Sequence, residues 1–276
     1  MASFSVVTSV SSLNAQANIN QTNALLNRSI NRLSSGLRIN QAGDDAAGLA
    51  VANSYRVDQA VVSQGIRNAN DALSNLQIKD GAMANIGLMV DRLATLAAQA
   101  ASSSTSDTTR TSLNTEFADL VAEIDRQANI SGLSAEEDVQ VYMSQDADGA
   151  DGSGVVTGTI SAVSGTGLDL ADGDGDAISI ADAEDAAEAV ATIKTAVETL
   201  GEVSNALGSL QNRLQFAINL ATNQGVNFKA AESRVRDANM AEEASNMTKF
   251  SILSQSGVAA LAQANQQSSA VLSLLR

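Results

Sequence analysis

Apolar residues recur on a seven-residue period at both ends of this 276-residue chain, and a stripe of that kind needs another helix to cover it. In residues 245–276, Met247, Phe250, Leu261, Ala264, Val271 and Leu275 occupy the two core positions of one repeat. Leu253 and Leu272 flank them, and Lys249 and Arg276 are the only charges. At the other end Val6, Val10, Leu13 and Ala17 follow at steps of four, three and four, while Ile19, Leu26, Ile30, Leu33 and Leu37 form a second stripe around the same helix. Two seams imply more than one neighbour. A bundle that pairs the two ends and an assembly in which each subunit touches several copies both satisfy them.

What the chain lacks narrows its chemistry. It has no Cys, His, Pro or Trp. Disulfides and thiolate catalysis are closed to it, as are the commonest general base and the commonest metal ligand. The reading is a non-enzyme without cofactor. Absent proline suits long helices, since an interior proline costs about 3 kcal/mol.

The charge of −15 is concentrated. Between Gly132 and Val190 lie 14 acids and no Lys or Arg, so of 31 acids only 17 remain to face 16 bases elsewhere. A nucleic-acid partner would need a basic face, which this pattern does not offer. It suits a charged outer surface on a self-associating core, because like charges discourage lateral sticking. No apolar run approaches the ~18 residues of a membrane span. Residues 1–30 also lack the basic start and continuous apolar stretch of a cleavable signal.

Along the chain, residues 57–101 read as one helix. Val62, Ala69, Leu76, Met83, Val90 and Ala97 recur every seven residues, with Ile66 and Leu73 at the other core position. About 45 residues at 1.5 Å each give roughly 65 Å, against a diameter near 50 Å for a compact globule of this length, so an elongated rod is expected. Asn40 to Gly43 is a turn signal, and Asp44 or Asp45 can cap a short helix after it. A third helix is expected over 107–129, carried by Leu113, Phe117, Leu120, Ile124 and Ala128. After Gly132 short alternating runs at 139–143, 155–163 and 177–180 predict a small β-rich insert. From Asp182 helical spacing returns through Val190, Ile193, Val197, Leu200, Leu207, Leu210, Leu214 and Ile218. The fold class is mainly α, an elongated antiparallel coiled-coil or helical rod carrying a small β-rich insert.

Two stretches carry a resemblance. RLSSGLRINQAGDDAAGLAVANSYR, residues 32–56, resembles the N-terminal signature of bacterial flagellins, and residues 245–276 resemble the C-terminal one, above all in SNMTKFSIL, ALAQAN and VLSLLR. The similarity covers nearly all of 1–131 and 182–276, whereas 132–181 correspond to the family's variable part. It implies a terminal coiled-coil domain of residues 1–41 plus 236–276, a helical rod domain of 42–131 plus 182–235, and the acidic insert of 132–181 between. It further implies a secreted, extracellular structural subunit of the bacterial flagellum that self-assembles into a filament for motility. The partners implied are further copies of the chain, a flagellar export chaperone and the filament cap. Self-assembly would rest on Val6, Val10, Leu13, Ile19, Leu26, Leu33, Met247, Phe250, Leu253, Leu261, Val271, Leu272 and Leu275. Ser268 stands near the place where a proline often follows in the family. Arg92, Leu96 and Glu116 resemble residues that Toll-like immune receptors read in other flagellins, though Ala94 and Thr95 depart from the usual Arg-Glu pair. The alternative is that Arg92 and Glu116 are solvated and Leu96 packs between subunits.

Other motifs carry less. Asp172, Asp174 and Asp176 open a calcium-loop spacing, but Ala177 stands where glycine is wanted and Ala183 where a bidentate Glu is wanted, so they read as a solvated turn. Four sequons, at Asn20, Asn27, Asn129 and Asn246, are short enough to arise by chance. Two rival functions stand beside the filament subunit: a hook-filament junction protein with similar ends, and a secreted enzyme or metal-binding adhesin, which the lack of His disfavours.

Overall fold

The computed structural model describes residues 9–143, 154–171 and 177–274, with α5 side chains described as far as Gln266. Its elements are α1 (Val10–Ser35), α2 (Ala46–Ala100), α3 (Asp107–Ser131), β1 (Glu137–Tyr142), β2 (Val155–Ile160), α4 (Ala183–Arg236) and α5 (Met240–Leu274). The chain is mainly α, with one two-stranded antiparallel sheet. It forms two compact units, Met1–Val57 with Asn227–Arg276, and Asp58–Val226.

The larger unit, Asp58–Val226, holds a closed core. The expected heptad on α2 is buried at every step, from Val62 at 3% exposure to Ala97 at 0%. The second core row, however, is not Ile66 and Leu73, which are half-buried. It lies one residue earlier, at Gly65, Lys79, Ile86, Leu93 and Ala100. Glycine and lysine disguise that row in the sequence. Gly65 is small because β1 ends against it: a β-carbon there would overlap the Met143 carbonyl. Lys79 is buried with its ammonium paired to Glu137 at the start of β1.

α3 starts on Ser106, whose side chain accepts from Thr109 N–H, and stops at Gly132 in the left-handed region with φ 70°. It buries Leu113, Phe117, Val121, Ile124 and Ala128, while Leu120 is only half-buried. On α4 the buried row is Ala189, Ile193, Ala196, Leu200, Val203, Leu207, Leu210 and Leu214, leaving Val190 and Val197 exposed. Alanine fills the seam where valine was expected to.

The insert forms less sheet and more core than its texture suggests. β1 pairs with β2 from Glu137↔Ile160 to Tyr142↔Val155. Ala177 to Ile180 forms no strand; Ala177 makes only an isolated bridge to Ala171, and Ile180 N–H donates to Asn114 Oδ1 at 2.7 Å. Ile160, Val163, Leu168, Leu170 and Ile180 are all fully buried, so this stretch is part of the unit's interior rather than a separate outer decoration. The Asp172, Asp174 and Asp176 spacing lies outside the described residues.

In the other unit the turn after α1 is held by Asp44, whose carboxylate accepts from the Asn40 and Gln41 amides at 3.3 Å. Asp45 accepts from Gly48 N–H at 2.9 Å at the start of α2. That helix is not a short one followed by a second. It runs unbroken from Ala46 to Ala100: there is no proline to break it, and Gly65, Gly81 and Gly87 lie within it without interrupting it.

Candidate assembly surface

α1 and α5 are the elements that carry the predicted seams, and both lie in the same unit. Ser9 caps α1 by accepting from Ser12 N–H, and Gly36, at φ 73°, ends it with its N–H on the Arg32 carbonyl. Leu37 is therefore outside the helix. It bridges Asp237 in the short break between α4 and α5, where Ala238 N–H also reaches the Gly36 carbonyl at 2.9 Å. Asn239 Oδ1 then accepts from Ala241 N–H to start α5. This turn brings α5 back along α1.

The two helices pack antiparallel, as three side-chain pairs show: Ser12 to Asn265 at 2.8 Å, Ser254 to Asn23 at 2.9 Å, and Arg32 to Glu243 at 3.2 Å. The last pair belongs to an ionic cluster at the root. Arg32 also approaches Asp44 at 3.8 Å, and Arg28 lies 3.9 Å from the same carboxylate. Asp44 has a side chain only 5% exposed and Arg32 24%, so this pair is largely desolvated, whereas Arg28 at 55% stays in water. Beyond the root the pair is joined by hydroxyl and amide groups at the surface.

Among the described residues of α1 and α5 the only buried side chains are Ser29 and Glu243. Among those described residues no apolar side chain of either helix is buried. Val10, Leu13 and Leu253 are exposed, with Val10 at 66%, and Ile19, Leu26, Leu33, Met247, Phe250 and Leu261 are half-buried. Val6 and Leu275 lie outside the described residues, as do the side chains of Val271 and Leu272. Sequence spacing did not single out Ile252 and Val258, both 57% exposed on α5. Their signal was the near absence of charge, Lys249 alone between Glu243 and Leu274, which marks a helix apolar on several faces.

The energetic consequence follows from area. Fully burying a Leu, Ile, Val, Phe or Met side chain contributes about 1.5–3 kcal/mol, so covering the remaining half for roughly ten of them is worth on the order of 10 kcal/mol. The helix pair cannot collect that term alone, since two helices have only one mutual face.

Arg92, Leu96 and Glu116 fall in the larger unit. Arg92 donates to Glu116 through Nη2 at 2.6 Å and Nε at 3.1 Å, and both side chains are about half exposed. Leu96 is 1% exposed and sits in the α2 core face, whereas Leu88, one turn before Arg92, is 69% exposed. Further along α3, the hydrogen bond from Arg126 holds the Glu123 carboxyl below the ordinary carboxylate range. Arg126 is exposed and Glu123 half-buried, so the pair decorates the surface. Among the described residues no group of three acidic side chains could hold a metal ion, and no helix is long and apolar enough to cross a membrane.

Residues 6–134 match the bacterial flagellin N-terminal helical region and residues 190–275 match the corresponding C-terminal helical region. A flagellin of Halalkalibacterium halodurans is 34% identical over 90% of this chain and 91% of its own. The flagellar filament 33 kDa core protein of Treponema phagedenis is 34% identical over 97% of this chain and 98% of its own. A flagellin of Bacillus subtilis is 32% identical over the same shares.

Proposed function

The chain belongs to the bacterial flagellin family, and we propose that it is a structural subunit that leaves the cell and polymerises into the flagellar filament used for motility. The observation that carries this is the α1–α5 pair, two well-formed helices without a single buried apolar side chain among their described residues. Such a pair is the unfinished half of a core. Other copies finish it, and the free energy of assembly is the burial the monomer lacks. Non-enzymatic action fits the same reading, because packing is the whole mechanism.

The finer partners follow from family membership. An export chaperone that covers α5 before polymerisation would protect the apolar faces at Ile252, Leu253 and Val258, and the filament cap would meet the same ends as they fold into place. Receptor recognition at Arg92, Leu96 and Glu116 is supported by the exposed Arg92–Glu116 pair. The buried Leu96 would act by shaping α2 beneath them.

The test is seeded polymerisation of the purified chain, followed by electron microscopy. Filaments that elongate from short seeds without another protein are expected. Growth only as a single layer on hook ends would favour the junction-protein reading instead.

A further inference from the structure

The larger unit carries two exposed features that its own core leaves unused, a groove of mixed polar and apolar lining and an apolar ridge. One is a groove of about 1090 Å³ between α2, the end of α3 and β1. Ile78 at 63% exposure, Ile130 at 73% and Tyr142 at 55% line it. β1 pairs only with β2 among the described residues, so the strand beside the groove has an open edge. The other is a ridge on α4, where Arg213, Phe216 and Leu220 stand at spacings of three and four and so share one helix face. Phe216 is 74% exposed and Leu220 60%.

We infer that the Arg213–Phe216–Leu220 ridge of one subunit docks in the Ile78–Ile130–Tyr142 groove of a second copy. Three observations favour a second copy as the occupant. The groove carries Asp71, Glu137 and Asp138 against Lys79 alone, and Lys79 is already paired with Glu137, so its rim is acidic. The ridge answers with the opposite sign: from Val203 to Val226, Arg213 is the sole charged residue of α4. Its Nη1 donates to the Thr157 carbonyl at 2.7 Å, and a guanidinium has further donors for a carboxylate. Finally, ridge and groove are unlike surfaces of one unit, and such a head-to-tail contact builds an open filament wherever the rotation between copies does not close.

The docking rests on the filament reading, and the absence of native cysteine gives it a clean test. Single-cysteine variants Ile130→Cys and Phe216→Cys are mixed, polymerised on wild-type seeds and oxidised, then run on a non-reducing gel. Disulfide-linked dimers are expected in the mixed polymer and not in polymers of either variant alone. Mixed polymers without dimers overturn the docking. If the cysteine variants do not polymerise, charge exchange decides: Arg213→Glu should raise the critical concentration about two- to fivefold, and Asp71→Lys in the same chain should restore it. Absence of rescue overturns the docking. A wild-type chain that never polymerises sinks the filament reading and the docking with it.

Discussion

Gly257 on α5 faces Ile19 on α1 so closely that a β-carbon at 257 would stand 2.8 Å from Ile19 Cγ1. The glycine is there for approach, since its cost to the helix is about 1 kcal/mol relative to alanine. Gly257→Leu should push α1 away from α5, and such overpacking costs about 1–3 kcal/mol. The critical concentration for polymerisation should rise on the order of tenfold, with Gly257→Ala much nearer to wild type. Equal critical concentrations for all three chains would place the α1–α5 contact outside the assembled state.

The unfinished pair should be loose before assembly. Limited proteolysis of the monomer is expected to trim both ends and leave a stable fragment containing residues 58–226, the unit with its own core. Filaments should resist the same protease. Identical digestion of monomer and filament would show that assembly adds no order to α1 and α5.

Leu261 is half-buried on α5 and stands in the middle of the predicted seam. Leu261→Asp would bring an unpaired carboxylate into an apolar contact, at a cost on the order of several kcal/mol per subunit. Polymerisation should fail while the circular dichroism and urea transition of the larger unit stay unchanged. Normal filaments from the variant would show that Leu261 faces water in the polymer.

Gly65 makes the opposite test, of folding rather than assembly. Alanine normally favours a helix by about 1 kcal/mol over glycine, but here its methyl group meets the Met143 backbone. Backbone cannot swing aside as a side chain can. Gly65→Ala should therefore lower the unfolding free energy of the larger unit by about 1–3 kcal/mol, read from the urea midpoint. A higher midpoint would mean that β1 does not end against α2.

Leu170 is fully buried although it lies in the acidic insert. Leu170→Ala should cost about 2–5 kcal/mol of stability in the same unfolding transition. Replacing the insert from residue 146 to 176 with a short neutral turn should unfold the unit, since it removes β2 and the buried Ile160, Val163, Leu168 and Leu170 together. A deletion that folds and polymerises as well as wild type would return the insert to the surface.

The helices were legible in the sequence, because periodicity, capping residues and absent proline act locally: Ser106 and Gly132 bound α3 as their chemistry requires. The sequence also marked which helices need partners, since a stripe is a property of spacing. The second core row on α2 was not legible. Gly65 and Lys79 are there for what lies opposite, the Met143 carbonyl and the Glu137 carboxylate, and no pattern along one strand of sequence records a neighbour across space. The same reason hid the insert's role. Asp and Gly clusters read as surface, yet between them Ile160, Leu168 and Leu170 turn inward, a choice made by the tertiary fold, which alone offers them helices to cover. The assembly surface is legible as chemistry for a related reason: an apolar face is written in the sequence. Whether the monomer can bury it depends on how many helices the fold brings beside it, and for α1 and α5 the described residues leave it open.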